Sequence, residues 1–129
     1  MNKIMVNLIF LIIISVVMGS VGQILLKIGI NELGKIDLKI NMLPLTIFRM
    51  LTNKFIFIGL LLFVIGAFSW ISALSGVNLS IGYPIASGLL YISIVTLSII
   101  FLKERINYTQ LLGICVTLVG VIILAKFGR

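Results

Sequence analysis

The sequence predicts an all-α membrane protein with four transmembrane helices, and three observations carry that expectation. Of its 129 residues, 61% are hydrophobic and 10% charged, with a mean hydropathy of +1.34; a soluble domain of this length needs far more polar surface. The apolar residues gather into four runs of about 18–24 residues, each enough to cross a ~30 Å hydrocarbon core at about 1.5 Å per residue. The basic residues fall mostly at the ends of those runs or in the first loop, where membrane proteins carry them.

The first span is expected over residues 4–26, flanked by Lys3 and Lys27. It is too long for the apolar region of a signal peptide, and no small-residue cleavage pattern follows Lys27. The loop from Ile28 to Lys54 is the long one. Within it, "PLTIFRMLTNK" begins at Pro44, a good first-turn residue; Thr46, Arg49 and Asn53 fall on one face and Leu45, Phe48 and Leu51 near the other. That pattern predicts a short helix lying in the membrane interface, a surface connector or a substrate gate. The second span, 55–75, and the third, 79–102, are joined by the tight loop "SGVNLS" and so form a helical hairpin. The fourth span, 108–125, follows "KERIN". The chain reads as a single domain over 1–129, with no internal repeat.

Composition also removes function classes. A net charge of +7 would suggest nucleic acid in a soluble protein; here it reads as topology and contact with lipid headgroups. Lys35, Lys39, Arg49, Lys54, Lys103 and Arg105 gather on one side of the membrane, against Lys3, Lys126 and Arg129 on the other, so both termini are expected to face away from the cytoplasm. One cysteine, Cys115, inside the fourth span, permits no intrachain disulfide. With no histidine and three acidic residues in all, imidazole metal sites and paired-carboxylate chemistry have no groups to use. No enzymatic activity, cofactor or metal is expected.

Polar groups inside a span are costly in lipid unless they face the protein interior. In the first span Ser15, Gly19 and Gln23 recur at i, i+4, i+8, with Gly22 beside them. This stripe either packs against a neighbouring helix, the Gln23 amide bonding across, or lines a substrate cavity. The third span carries Tyr83, Ser87 and Tyr91 at the same spacing, with Gly88 adjacent and a helix bend expected at Pro84. Hydroxyls and aromatic faces of this kind suit a polar or cationic headgroup. Trp70, in the second span, is either an interfacial belt residue or the aromatic wall of a pocket. Gly113, Thr117 and Gly120 share one face of the fourth span and predict a dimer seam, or else packing within one subunit. Four helices enclose little volume, so a solute cavity is expected to need two chains.

Taken in order, "GSVGQILLK", "NLSIGYPIASG" and "FLKERINYTQLLGICVTLVGVIIL" resemble the drug/metabolite transporter superfamily over all four spans but not the first loop. Two branches compete. The small multidrug resistance family places a glutamate eight residues before the first-helix lysine; here that position is Gly19, and the acid is missing. Its helix-four glycine pair falls on Gly113 and Gly120, and its helix-three tyrosine on Tyr83. The small EamA-like group, typified by the subunits of the aminoarabinose-phospho-undecaprenol flippase, fits better. Its first-helix pattern falls on Gly22, Gln23 and Lys27, its "YP" on Tyr83 and Pro84, its tryptophan on Trp70, and its acid at the end of helix three on Glu104.

The resemblance implies a flippase or transporter subunit of the cytoplasmic (inner) membrane that moves a lipid-linked sugar or similar amphiphile. Its partners would be membrane lipid and a second copy or a paralogous small membrane protein. The substrate would meet Ser15, Gly19, Gln23, Trp70, Tyr83, Ser87 and Tyr91. An exporter of cationic compounds and a non-transporting accessory subunit are the alternatives. Glu104 is expected to be a solvated end-of-helix charge paired with Lys103 or Arg105, and Lys27 to mark the membrane edge.

Overall fold

The computed structural model describes residues 3–34 and 42–127. Lys35, Lys39 and Arg129, which enter the orientation argument, lie outside the described residues. The described residues form five helices: α1 (Lys3–Leu33), α2 (Leu43–Thr52), α3 (Lys54–Leu74), α4 (Leu79–Phe101) and α5 (Tyr108–Phe127). Among the described residues there is no strand, and α1, α3, α4 and α5 are each long and apolar enough to cross a membrane. The chain is thus an all-α, multi-pass membrane protein.

Local chemistry sets the helix ends. Nothing between Lys27 and Leu33 breaks a helix, so α1 continues past the first charge. It stops at Gly34, whose φ of +74° is cheap only for glycine and whose N–H donates to the Ile30 carbonyl at 3.1 Å. Asn53 caps α3: its Oδ1 accepts from the N–H groups of Phe55 at 3.0 Å and Ile56 at 3.1 Å. The same side chain donates through Nδ2 to Glu32 at 3.0 Å, tying the end of α1 to the start of α3. Asn107 and Gln110 exchange side-chain and backbone bonds of 2.7 and 3.0 Å at the start of α5, a reciprocal cap. Pro84 sits inside a continuous α4.

In lipid, helices associate by close packing more than by hydrophobic driving force. The α1–α3 contact is the most extensive, followed by α1–α4, while α5 packs on α4. Glycines make the α1–α3 approach possible. A Cβ on Gly22 would lie 2.8 Å from the Gly59 carbonyl oxygen, one on Gly59 2.8 Å from that of Gly22, and one on Gly66 3.1 Å from both the Gly19 nitrogen and the Ser15 carbonyl. The backbones of α1 and α3 therefore touch at these points, with Val16, Ile24, Ile56 and Ala73 buried around them. Ser20 and Ser98 are buried too, and each hydroxyl donates to a carbonyl of its own helix. None of the α5 residues is buried. It meets α4 where Val121 fills the space beside Gly88.

Candidate functional site

The contacts of α1 with α3 and α4 leave a groove along the α1–α4 boundary, divided into two cavities. The first, of about 310 Å³, is lined by Ser15 and Gly19 from α1, Gly66 and Trp70 from α3, and Tyr83 and Ser87 from α4, among others. The second, of about 480 Å³, takes Gln23 and Lys27 from α1, Ile94 and Ser98 from α4, and Glu104 just beyond α4. Residue numbers rise together on both walls from one cavity to the next. Thus α1 and α4 run in the same direction, and the cavities follow one another along them.

Five residues singled out from the sequence therefore meet in one place: Ser15, Gly19, Trp70, Tyr83 and Ser87. Trp70 is half-buried in the cavity wall and packs edge-to-face on Tyr83, with ring centroids 6.2 Å apart and planes at 62°. The Ser15 and Ser87 hydroxyls donate to the carbonyls of Ile12 and Pro84 at 2.8 and 3.1 Å, so toward the cavity they are acceptors. The Tyr83 hydroxyl and the Trp70 indole N–H have no hydrogen-bond partner among the described residues and stay available as donors.

Gln23 lines the second cavity instead. Its amide makes no hydrogen bond to any described residue, so the interhelical bond of the packing reading is not formed among the described residues. Tyr91 is outward-facing and lines neither cavity. The α4 wall passes from the 83/87 row to the 90/94/98 row as the groove advances, which leaves Tyr91 to one side.

Glu104 is exposed at the end of α4, as expected of a solvated charge, but the expected pairing is not formed. No ion pair within 4.0 Å joins it to Lys103 or Arg105 among the described residues. Instead the chain turns at Lys103, a non-glycine residue at φ +55°, and the Glu104 N–H comes back to the Ser98 carbonyl at 3.3 Å. That reversal seats Glu104 on the cavity wall. The left-handed turn is the signal that sequence reasoning missed, since no glycine marks it.

Gly113, Thr117 and Gly120 are outward-facing on α5, and a Cβ on either glycine would meet nothing within 4 Å. Packing within one subunit therefore does not account for them. The Thr117 hydroxyl bonds back to the Gly113 carbonyl at 2.9 Å. Among the described residues no cluster of three or more histidine, cysteine, aspartate or glutamate side chains could hold a metal ion.

No family model matches the chain, and no solved structure does. Among curated proteins the chain is similar to one from Proteus mirabilis (strain HI4320) described as "Probable 4-amino-4-deoxy-L-arabinose-phosphoundecaprenol flippase subunit ArnF". The two are 25% identical over 124 residues, covering 87% of this chain and 86% of that protein.

Proposed function

We propose that this chain is a subunit of a membrane transporter or flippase that moves an amphiphile with a polar headgroup, of the lipid-linked sugar type, across the cytoplasmic membrane. The observation that carries the reading is the α1–α4 groove. It gathers polar and aromatic residues of three spanning helices, Ser15, Trp70, Tyr83 and Ser87, into one cavity and continues into a second that holds Gln23. A headgroup would pass along that groove while its hydrocarbon tail stays in lipid. The near end-to-end similarity to a flippase subunit supports the same reading.

The functional unit is a dimer with a second copy or a related small membrane protein, joined through the outward glycine face of α5. Helix α2 lies in the interface, its apolar Leu45, Phe48 and Leu51 toward lipid. The excess of Lys and Arg expected on the side of Lys54 and Lys103 makes the Lys27–Glu104 end cytoplasmic, so a headgroup would be loaded there.

The test is reconstitution into proteoliposomes, alone and with a co-expressed paralogue, followed by the accessibility of a labelled lipid-linked sugar to a membrane-impermeant reagent. Protein-dependent translocation is the expected result. Resistance to cationic drugs with no lipid movement would replace this reading by the exporter.

A further inference from the structure

The two cavities share one groove but remain separate. The first ends at Gly19 on α1 and Leu90 on α4; one helical turn further along each wall, Gln23 and Ile94 line the second. Gly19 and Leu90 meet across this junction. A Cβ on Gly19 would stand 3.4 Å from Leu90 Cδ1 and within 4 Å of no other described residue beyond its own stretch of α1. Gly19 is buried there and Leu90 half-buried.

The two seams of α1 differ in what can move. Against α3 the neighbour is fixed backbone, since a Cβ on Gly22 would lie 2.8 Å from the Gly59 carbonyl oxygen. Against α4 at Gly19 the neighbour is the tip of a single leucine side chain, which can change rotamer without moving a helix. We infer that Leu90 gates the groove: folded over Gly19, its side chain keeps the two cavities apart and sets the largest headgroup that passes between them. This deepens the transport reading and rests on it.

The chemistry of the junction fits a barrier. Ser15 and Ser87 offer polar partners in the first cavity and Gln23 in the second, whereas Gly19, Leu90 and Ile94 offer no polar side-chain atom between them. A polar group stripped of partners is unfavourable, so a headgroup rests in either cavity and crosses when the leucine swings aside. Glycine at position 19 leaves the room that the leucine occupies when closed.

The first test compares translocation, in proteoliposomes, of the same lipid phosphate carrying one sugar or two. Leu90→Ala should raise the ratio of two-sugar to one-sugar rates at least fivefold. Leu89→Ala makes the same truncation at an exposed position that lines neither cavity and should leave the ratio unchanged. Gly19→Ala adds a methyl group in ordinary contact with Leu90, so the protein should fold, and the two-sugar rate should fall at least threefold. Adding Leu90→Ala to that variant should restore the rate, a recovery that a merely structural role would not produce. An unchanged ratio in Leu90→Ala, an equal change in Leu89→Ala, or no recovery in the double variant overturns the inference.

The barrier is also read without transport. In a Cys115→Ala background, which removes the single native thiol, Ser87→Cys places a thiol in the first cavity. A small, membrane-impermeant methanethiosulfonate is added to sealed vesicles from the side of the second cavity, identified by the reactivity of Lys27→Cys in the same background. Leu90→Ala should speed modification of the first-cavity thiol at least tenfold, and Leu89→Ala should not. An unchanged rate in Leu90→Ala overturns this inference alone, even where lipid moves. Faster modification in a protein that moves no lipid-linked sugar overturns the transport reading and leaves Leu90 as the barrier between the cavities.

Discussion

At the scale of single residues, the most informative side chain is Gln23. Its spacing from Ser15 and Gly19 placed it on a polar stripe, and two uses were open to it, a bond to a neighbouring helix or a cavity wall. In the structure the amide lines the second cavity and makes no hydrogen bond to a described residue. Replacing Gln23 with leucine keeps similar volume and breaks no hydrogen bond among the described residues. Since an interhelical hydrogen bond in lipid averages only ~0.6 kcal/mol where one exists, the thermal midpoint of Gln23→Leu should stay near wild type. A bound headgroup left with an unpaired polar atom loses about 1–3 kcal/mol, so transport should fall by roughly five- to 150-fold. Proportionate loss of stability and activity would return Gln23 to a packing role.

Asn53 supports a different residue-scale prediction. It caps α3 through two backbone N–H groups and holds Glu32. Asn53→Ala should cost ~1 kcal/mol from the cap alone, whereas Asn53→Ser keeps a capping oxygen and loses only the link to Glu32. Unfolding of both variants in denaturing detergent should rank wild type, serine, alanine; an alanine variant as stable as wild type would contradict the capping assignment.

At the scale of helices, two sets of glycines do opposite things. Gly22 and Gly59 bring the backbones of α1 and α3 together, and a methyl group on either would lie 2.8 Å from a carbonyl oxygen of the other helix. Rigid backbone cannot step aside as a side chain can, so Gly59→Ala should destabilise by about 1–3 kcal/mol, read as a lower midpoint in a denaturing-detergent titration. Gly113 and Gly120 meet nothing within 4 Å. Gly113→Leu and Gly120→Leu should leave the monomer's stability nearly unchanged and weaken the dimer, because a branched side chain forces an apposed helix away. Crosslinking that returns an undiminished dimer for both would move the seam elsewhere.

The spans were legible because about twenty apolar residues in a row have few other uses, and the stripes of α1 and α4 were legible because a helix repeats every 3.6 residues. What escaped was the identity of neighbours. Gly59 and Gly66 stand seven apart in α3, the same spacing as Gly113 and Gly120 in α5, and spacing alone does not tell which pair meets another helix of its own chain. Hydropathy ends the first span at Leu26, but a helix needs no apolar residue to continue, and α1 runs on to Leu33. Glu104 stays exposed, as charges at helix ends usually do. Its place at the rim of the second cavity depends on the left-handed turn at Lys103, which has no mark in the sequence.

At the scale of the whole molecule, the described acids constrain the energetics of transport. Glu32 and Glu104 are both exposed, and the first cavity is lined by no acid at all. An exchange mechanism in which substrate displaces a proton from a buried carboxylate therefore has no group to use among the described residues. Adding substrate to the solubilised protein in weak buffer near neutral pH should release no protons, followed with a pH indicator; stoichiometric release would require a carboxylate to be shielded in the assembly.

If the α1–α4 groove is the path of the headgroup, one intrinsic probe reports on its passage. Trp70 is the single tryptophan of the chain and stands in the wall of the first cavity against Tyr83. Titrating a lipid-linked sugar into the purified protein should change Trp70 emission saturably. Ser15→Leu, which fills the same cavity from α1, should abolish the change while the protein stays folded. An unaltered emission spectrum over a range in which the same protein translocates that lipid would contradict the account, because the headgroup would then be crossing somewhere else.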